Sequence, residues 1–145
     1  MFIIVFILGG CVNANHSAQI FEYDLWMTKR ILWENILFQP EKDYLVYIYS
    51  TECGYCHQIK QEALCFYQKT TQPMYVIFDD ENITYIPGEN MEKMIGIDKV
   101  ENLALLGVPS LVFVVKAKVA KILVGAKNIS DFYSETSVEN KRVFN

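Results

Sequence analysis

Cys53 and Cys56 are separated by two residues within Ser50–Lys60, which reads S-T-E-C-G-Y-C-H-Q-I-K. Two thiols at this spacing can do three kinds of chemistry. They can cycle between dithiol and disulfide, supply half of a zinc site or, because His57 follows, attach a c-type haem. Zinc asks for about four ligands. His57 and Cys65 are the further candidates, but both would share a helix with Cys56 in poor geometry, and the chain has no second C-x-x-C. Haem would take His57 as an axial ligand and needs a fold that encloses the ring. A strand before the motif and two strands after it are unlike small helical haem bundles. A redox dithiol needs a nucleophilic thiolate, and the unpaired amides and dipole at a helix N-terminus favour that form over the thiol.

The surrounding sequence supplies such a position. Tyr44–Tyr49 is an apolar, aromatic run without polar alternation. It predicts a central strand over Asp43–Ser50, covered on both faces. From Cys56 to about Lys69, Ile59, Ala63, Phe66 and Tyr67 recur at helical spacing, with Lys60, Gln61 and Gln68 off the stripe. Cys53 therefore falls where a strand hands over to a helix. Upstream, Phe21, Leu25, Leu32 and Ile36 mark a 3.6-residue period, broadened by Trp26, Trp33 and Leu37, and predict a largely buried helix over 21–38. Pro40 closes it, since the residue before a proline is pushed out of helical geometry. Met74–Phe78 reads as a second strand and Pro87-Gly88 as a turn. A short helix is expected over Lys99–Leu106, then strands at Leu111–Val115 and Val119–Val124 joined by a turn at Lys116-Ala117-Lys118. A last helix is capped by Asn128 or Ser130, with Ile129, Phe132 and Tyr133 on one face. The order helix, strand, helix, strand, helix, strand, strand, helix predicts an α/β fold: a mixed sheet of about four strands flanked by helices on both faces.

With 145 residues, 52% of them hydrophobic and 14% aromatic, the chain can bury one ordinary core. A net charge of −4 with no basic block argues against nucleic-acid binding. The apolar run Phe2–Leu8 is too short to span a bilayer, which takes roughly 20 residues, and has the length of a signal-peptide core. Leu8-Gly9-Gly10-Cys11 resembles the bacterial lipobox, which makes Cys11 a candidate for lipidation and membrane-surface anchoring; the departure is that no Lys or Arg precedes the run. Residues 1–15 are read as a leader and 16–145 as the domain. The expected location is extracytoplasmic, either secreted or anchored to the outer face of the cytoplasmic membrane.

A second motif, Gly107-Val108-Pro109-Ser110, opens the strand at Leu111–Val115. Together with Tyr44–Ser50 leading into Cys53-Gly54-Tyr55-Cys56, it resembles the thioredoxin-like superfamily over Asp43 to about Tyr133. In that family the proline takes a cis bond beside the dithiol; cis costs about 0.5–1 kcal/mol before proline against about 2.5–4 elsewhere. Proline also lacks an amide proton, which leaves the preceding residue's backbone open to a substrate strand. The resemblance implies thiol–disulfide exchange on protein substrates with a protein redox partner, and no cofactor or metal. It makes Cys53 the attacking nucleophile, Cys56 the resolving thiol, and Val108 with Pro109 the docking edge. Gly54 and Tyr55 would set the potential, which spans roughly 150 mV, about 7 kcal/mol, among such proteins. His57 and Lys60 would tune it by charge, Lys60 offsetting Glu52, whose charge opposes thiolate formation at Cys53.

Two positions depart from the pattern. Thioredoxins proper carry a buried acid in the strand before the dithiol, where this chain has Tyr47, and a mid-helix proline, where it has Gln61. Both departures favour a slower extracytoplasmic oxidoreductase over a fast reductase. The missing acid and the irregular stretch Glu81–Asp98 also keep open a second reading, an accessory binding module of the same fold with a structural dithiol. Plainer roles suit the remaining residues. Trp26 and Trp33 read as core, Cys65 as a small buried hydrophobe, and Asp79-Asp80-Glu81 as a solvated strand end. Asn15, Asn82 and Asn128 head N-x-[ST] triplets, which matter only in a eukaryotic secreted chain.

Overall fold

A computed structural model describes residues 23–138 and 143–144; residues 1–15, Cys11 and Phe21 lie outside the described residues. Four strands form one sheet: β1 (Asp43–Tyr49), β2 (Met74–Phe78), β3 (Ser110–Val115) and β4 (Lys118–Val124). Their order is β2-β1-β3-β4, with β1 and β2 parallel and the other pairs antiparallel. A parallel pair needs a crossover, and the helical stretch after Cys53 provides it as α1 (Gly54–Gln58) and α2 (Lys60–Lys69). The antiparallel pair β3–β4 needs only the two residues Lys116 and Ala117.

The unbroken apolar run of β1 follows from burial on both sides. Leu45, Tyr47 and Tyr49 face one core with Cys56, Ile59, Ala63, Leu64 and Phe66 of α1 and α2, and Ile129 and Tyr133 of α3 (Ala126–Val138). Tyr44, Val46 and Ile48 face the other, closed by Trp33, Ile36, Leu37, Met94, Leu103 and Leu105. The two layers are unequal. The three α-helices stand on the first face. The second is covered by 3-10 turns at Trp33–Asn35, Met91–Met94 and Val100–Asn102 and the loops between them.

Two expected helices are replaced. In place of one helix over 21–38, 3-10 turns at Tyr23–Lys29 and Trp33–Asn35 flank a short extended link. There Arg30 bridges to Val76, and the Ile31 amide donates to the Val76 carbonyl at 2.9 Å. The reason is that the apolar residues serve different cores: Trp26 belongs to the helix-covered face, Trp33, Ile36 and Leu37 to the opposite one. No single helix beside the sheet edge reaches both. Over Lys99–Leu106 only Val100–Asn102 is helical. Leu103, Ala104 and Leu105 are all buried in succession, which one helix face cannot achieve, and Leu105 instead pairs with Tyr85 as an extended segment.

Candidate active site

Cys53 occupies the N-cap of α1 in extended geometry (φ −90°, ψ 116°), so its side chain points back over the first helical turn. The Cys56 amide donates to Cys53 Sγ at 3.1 Å. One of the unpaired amides of the helix start is thus aimed at the sulfur that needs charge stabilisation. The two cysteines are disulfide-bonded, with Cα atoms 5.2 Å apart. Cys53 is half-buried and Cys56 fully buried, an asymmetry that leaves one sulfur open to attack. The expected single helix after the motif breaks at Ile59 (φ −105°, ψ 9°), so Lys60, half-buried, opens the second segment instead of continuing the first.

Val108 and Pro109 lie against this pair, joined by a cis peptide bond. The Val108 carbonyl oxygen is 3.7 Å from Cys53 Sγ, a contact that gains a donor when the disulfide is reduced to a thiol. The motif is pinned from both sides. The Gly125 amide donates to the Pro109 carbonyl at 2.9 Å, and the buried Ser110 hydroxyl donates to the Gly107 carbonyl at 2.7 Å.

Gly54 and Tyr55 form the exposed crest of the loop; a Cβ added at Gly54 meets nothing within 4 Å, and Tyr55 is 66% exposed. His57 is exposed, yet its Nε2 lies 2.8 Å from the Thr51 carbonyl. A carbonyl only accepts, so Nε2 carries the proton. Beneath the dithiol is an aromatic layer where an acid stands in thioredoxins proper. Tyr47 is 1% exposed, with its ring 5.3 Å from Trp26 and 5.5 Å from Tyr49. At the margin of this layer Glu62 accepts from the Ser130 hydroxyl. Tyr133, fully enclosed, is pushed well above its ordinary pKa by burial first, then by the charges of Tyr47 and Glu62.

Asp79 and Asp80 are more than a solvated strand end. The Asp79 carboxylate accepts from the Ser50 hydroxyl at 3.0 Å, the Thr51 amide at 3.0 Å and the Thr51 hydroxyl at 2.5 Å. Asp80 accepts from the Trp33 amide at 2.7 Å and the Asn82 amide at 2.9 Å. Desolvation pushes both carboxyls up, but these hydrogen bonds and the charge of Arg30 outweigh it and hold them below the usual range. Residue types alone could not have exposed the Asp79 contact, which follows from the parallel register pairing Tyr49 with Phe78. An open cleft of about 250 Å³ lies beside the loop, with Ser50, Asp79, Asp80, Glu81 and Tyr85 among its walls. Cys65 is buried, as expected of a small hydrophobe. Among the described residues no three His, Cys, Asp or Glu side chains group as a metal site, and no helix is long and apolar enough to cross a membrane.

The same arrangement of sheet and helices recurs in solved structures. Thioredoxin f2 of Chlamydomonas reinhardtii superimposes with a TM-score of 0.50 at 17% identity, covering 78% of this chain and 97% of that one. The chain has the thioredoxin fold. A second match, to a structure of ferredoxin:thioredoxin reductase in complex with thioredoxin f2, has a TM-score of 0.50 at 17% identity and covers 78% of this chain and 94% of the matched chain. No protein-family model matches the sequence, and no curated protein matches it. Within this thioredoxin fold Cys53–Cys56 sits at the end of the central strand, and Val108–Pro109 at the start of the strand beside it.

Proposed function

We propose that the protein is an extracytoplasmic thiol–disulfide oxidoreductase that acts on protein substrates. The reading rests on one observation: a half-buried Cys53 sulfur held between the Cys56 amide and the Val108 carbonyl, with Cys56 closed off behind it. In the reducing direction the Cys53 thiolate attacks a substrate disulfide, forming a mixed disulfide and releasing one substrate thiolate, which takes up a proton. Cys56 loses its proton and attacks Cys53 Sγ, breaking the mixed disulfide. The products are the Cys53–Cys56 disulfide and a substrate dithiol, with two electrons transferred. The reverse sequence oxidises a substrate. Val108 and Pro109 dock the substrate backbone, and Gly54, Tyr55, His57 and Lys60 tune the potential.

The solved thioredoxin f2 complex contains a reductase; by analogy a partner protein resets this dithiol. Export is supported by the apolar Phe2–Leu8 run, which has the length of a signal-peptide core. The mass of the mature N-terminus distinguishes a cleaved leader from an anchor lipidated at Cys11.

Insulin reduction tests the activity. Cys53→Ala should abolish it, while Cys56→Ala should accumulate mixed disulfides with client proteins. A double variant as active as wild type would sink the enzyme reading. Tyr47 in place of an acid favours the accessory-module alternative, and a redox titration separates the two: a structural disulfide lies below about −300 mV, a working one above it.

A further inference from the structure

We propose that Asp79 and Thr51 are positioning residues for the dithiol, locking the loop that carries Cys53 onto the end of β2. The loop's donors can be followed one by one. The Thr51 amide and hydroxyl and the Ser50 hydroxyl go to Asp79. The Glu52 amide donates to Ser50 Oγ at 3.2 Å, and the Cys53 amide to the Ser50 carbonyl at 3.2 Å. Every amide from Thr51 to Cys53 is therefore committed, either to Asp79 or to Ser50, which Asp79 itself holds.

The lock closes on the other side through α1. Thr51 offers its carbonyl to His57 Nε2, and the His57 amide donates to the Cys53 carbonyl at 3.1 Å. Thr51 thus joins the strand end to the helix that bears both sulfurs. Asp79 is itself fixed. It sits at φ +48°, and the residue before it is gripped by Arg30, which donates to the Phe78 carbonyl at 3.0 Å and lies 4.0 Å from the Phe78 ring centre.

The consequence concerns the sulfur. Cys53 Sγ receives the Cys56 amide only while Cys53 keeps its extended N-cap conformation, and the residues before Cys53 set that conformation. A looser loop weakens the amide–sulfur bond and lowers the thiolate fraction. Asp79 acts here through geometry. Its negative charge alone would oppose a thiolate nearby.

The inference rests on the oxidoreductase reading only for its purpose, because its test uses no client protein. The full-length chain is reduced and treated with iodoacetamide at pH 7, and alkylation of the Cys53 peptide is followed by mass. In Thr51→Val and Asp79→Asn the rate should fall about threefold or more, because less of the sulfur is thiolate. Thr51→Ser, which keeps the hydroxyl, should react as wild type. The reduction potential should move toward more reducing values by about 14 mV or more, that threefold change converted for two electrons. Thermal melts accompany each variant; if Asp79→Asn fails to fold, the isosteric Thr51→Val set against the hydroxyl-keeping Thr51→Ser decides. Faster alkylation in Asp79→Asn with none of the change in Thr51→Val would mean that Asp79 acts by charge alone. Equal slowing in Thr51→Ser and Thr51→Val would remove the hydroxyl from the argument, and either outcome overturns the lock. Insulin reduction by the wild type, run in parallel, reports separately on the oxidoreductase reading.

Discussion

An exposed carboxylate contributes little to stability unless it gathers several donors at once, and Asp79 gathers three. Its pKa lies below the ordinary 3.8 despite the desolvation that pushes it up, because Thr51, Ser50 and Arg30 favour the charged form. A depressed carboxyl pKa stabilises the fold at pH values above its unfolded pKa, and that contribution disappears as pH falls through the folded value. Asp79→Asn should therefore be less stable than wild type at pH 6, by about 0.5–1 kcal/mol after solvent screening. The difference should begin to shrink below about pH 4, where the carboxyl of the unfolded chain takes up its proton, and disappear as pH falls through the lower folded value. Asp80, shifted the same way, keeps an acid slope in the variant. Urea midpoints at pH 6 and pH 3 check this; a constant difference would mean that charge on Asp79 is irrelevant. Cys53, Cys56 and Pro109 were legible from the chain because their chemistry belongs to the residue type. The Thr51–Asp79 contact spans 28 positions and depends on strand register, which no local pattern specifies.

At the scale of elements, legibility followed burial. Strand β1 was readable because both its faces are covered and its sequence is apolar from Tyr44 to Tyr49. The stretch 21–38 was not, because residues that fill two different cores happen to fall at helical spacing. The β3–β4 turn makes a prediction of its own. Lys116 and Ala117 both take positive φ, 50° and 60°, as a two-residue hairpin of primed type requires. Neither residue is suited to that region, where a side chain crowds the following carbonyl at a cost of about 1–2 kcal/mol. Replacing the pair with Asn-Gly should raise stability by about 1 kcal/mol, since both residues visit that region readily. The Lys116 amide that donates to the Lys42 carbonyl at 2.8 Å survives the change. An increased urea midpoint with an unchanged slope is the expected result. A lower midpoint would show that the lost side chains contribute more than the strain they carry.

For the molecule as a whole, the order of elements announced a mixed sheet between two layers, but not that the α-helices would gather on one face. Buried tyrosines lie in both layers, Tyr47, Tyr49 and Tyr133 on the dithiol side and Tyr44 and Tyr75 on the other, and they shape the pH range of the whole protein. Burial pushes Tyr44 and Tyr75 up to about 12, with the Glu41 charge adding to both, and raises Tyr133 well above its ordinary value. Each of these groups ionises more readily in the unfolded chain, near pH 10. The sign is therefore fixed: the folded state holds protons that the unfolded state has lost, so stability falls as pH rises above about 10. The hydroxyls differ in their partners. Tyr44 donates to the Ile36 carbonyl at 2.8 Å, whereas the buried Tyr133 hydroxyl has no hydrogen-bond partner among the described residues. Removing an unsatisfied buried hydroxyl is favourable, while removing a satisfied one strands its partner. Tyr133→Phe should thus gain about 1 kcal/mol at pH 7, and Tyr44→Phe should lose about 1 kcal/mol. Both variants should lose less stability than wild type between pH 7 and pH 10.5, because each lacks one group that must stay protonated in the fold. Urea unfolding at the two pH values, with tyrosinate absorbance followed in parallel, separates these effects. If Tyr133→Phe proved as destabilising as Tyr44→Phe at pH 7, its hydroxyl would have a partner after all, and the layer under the dithiol would be a connected polar network instead of an aromatic wall.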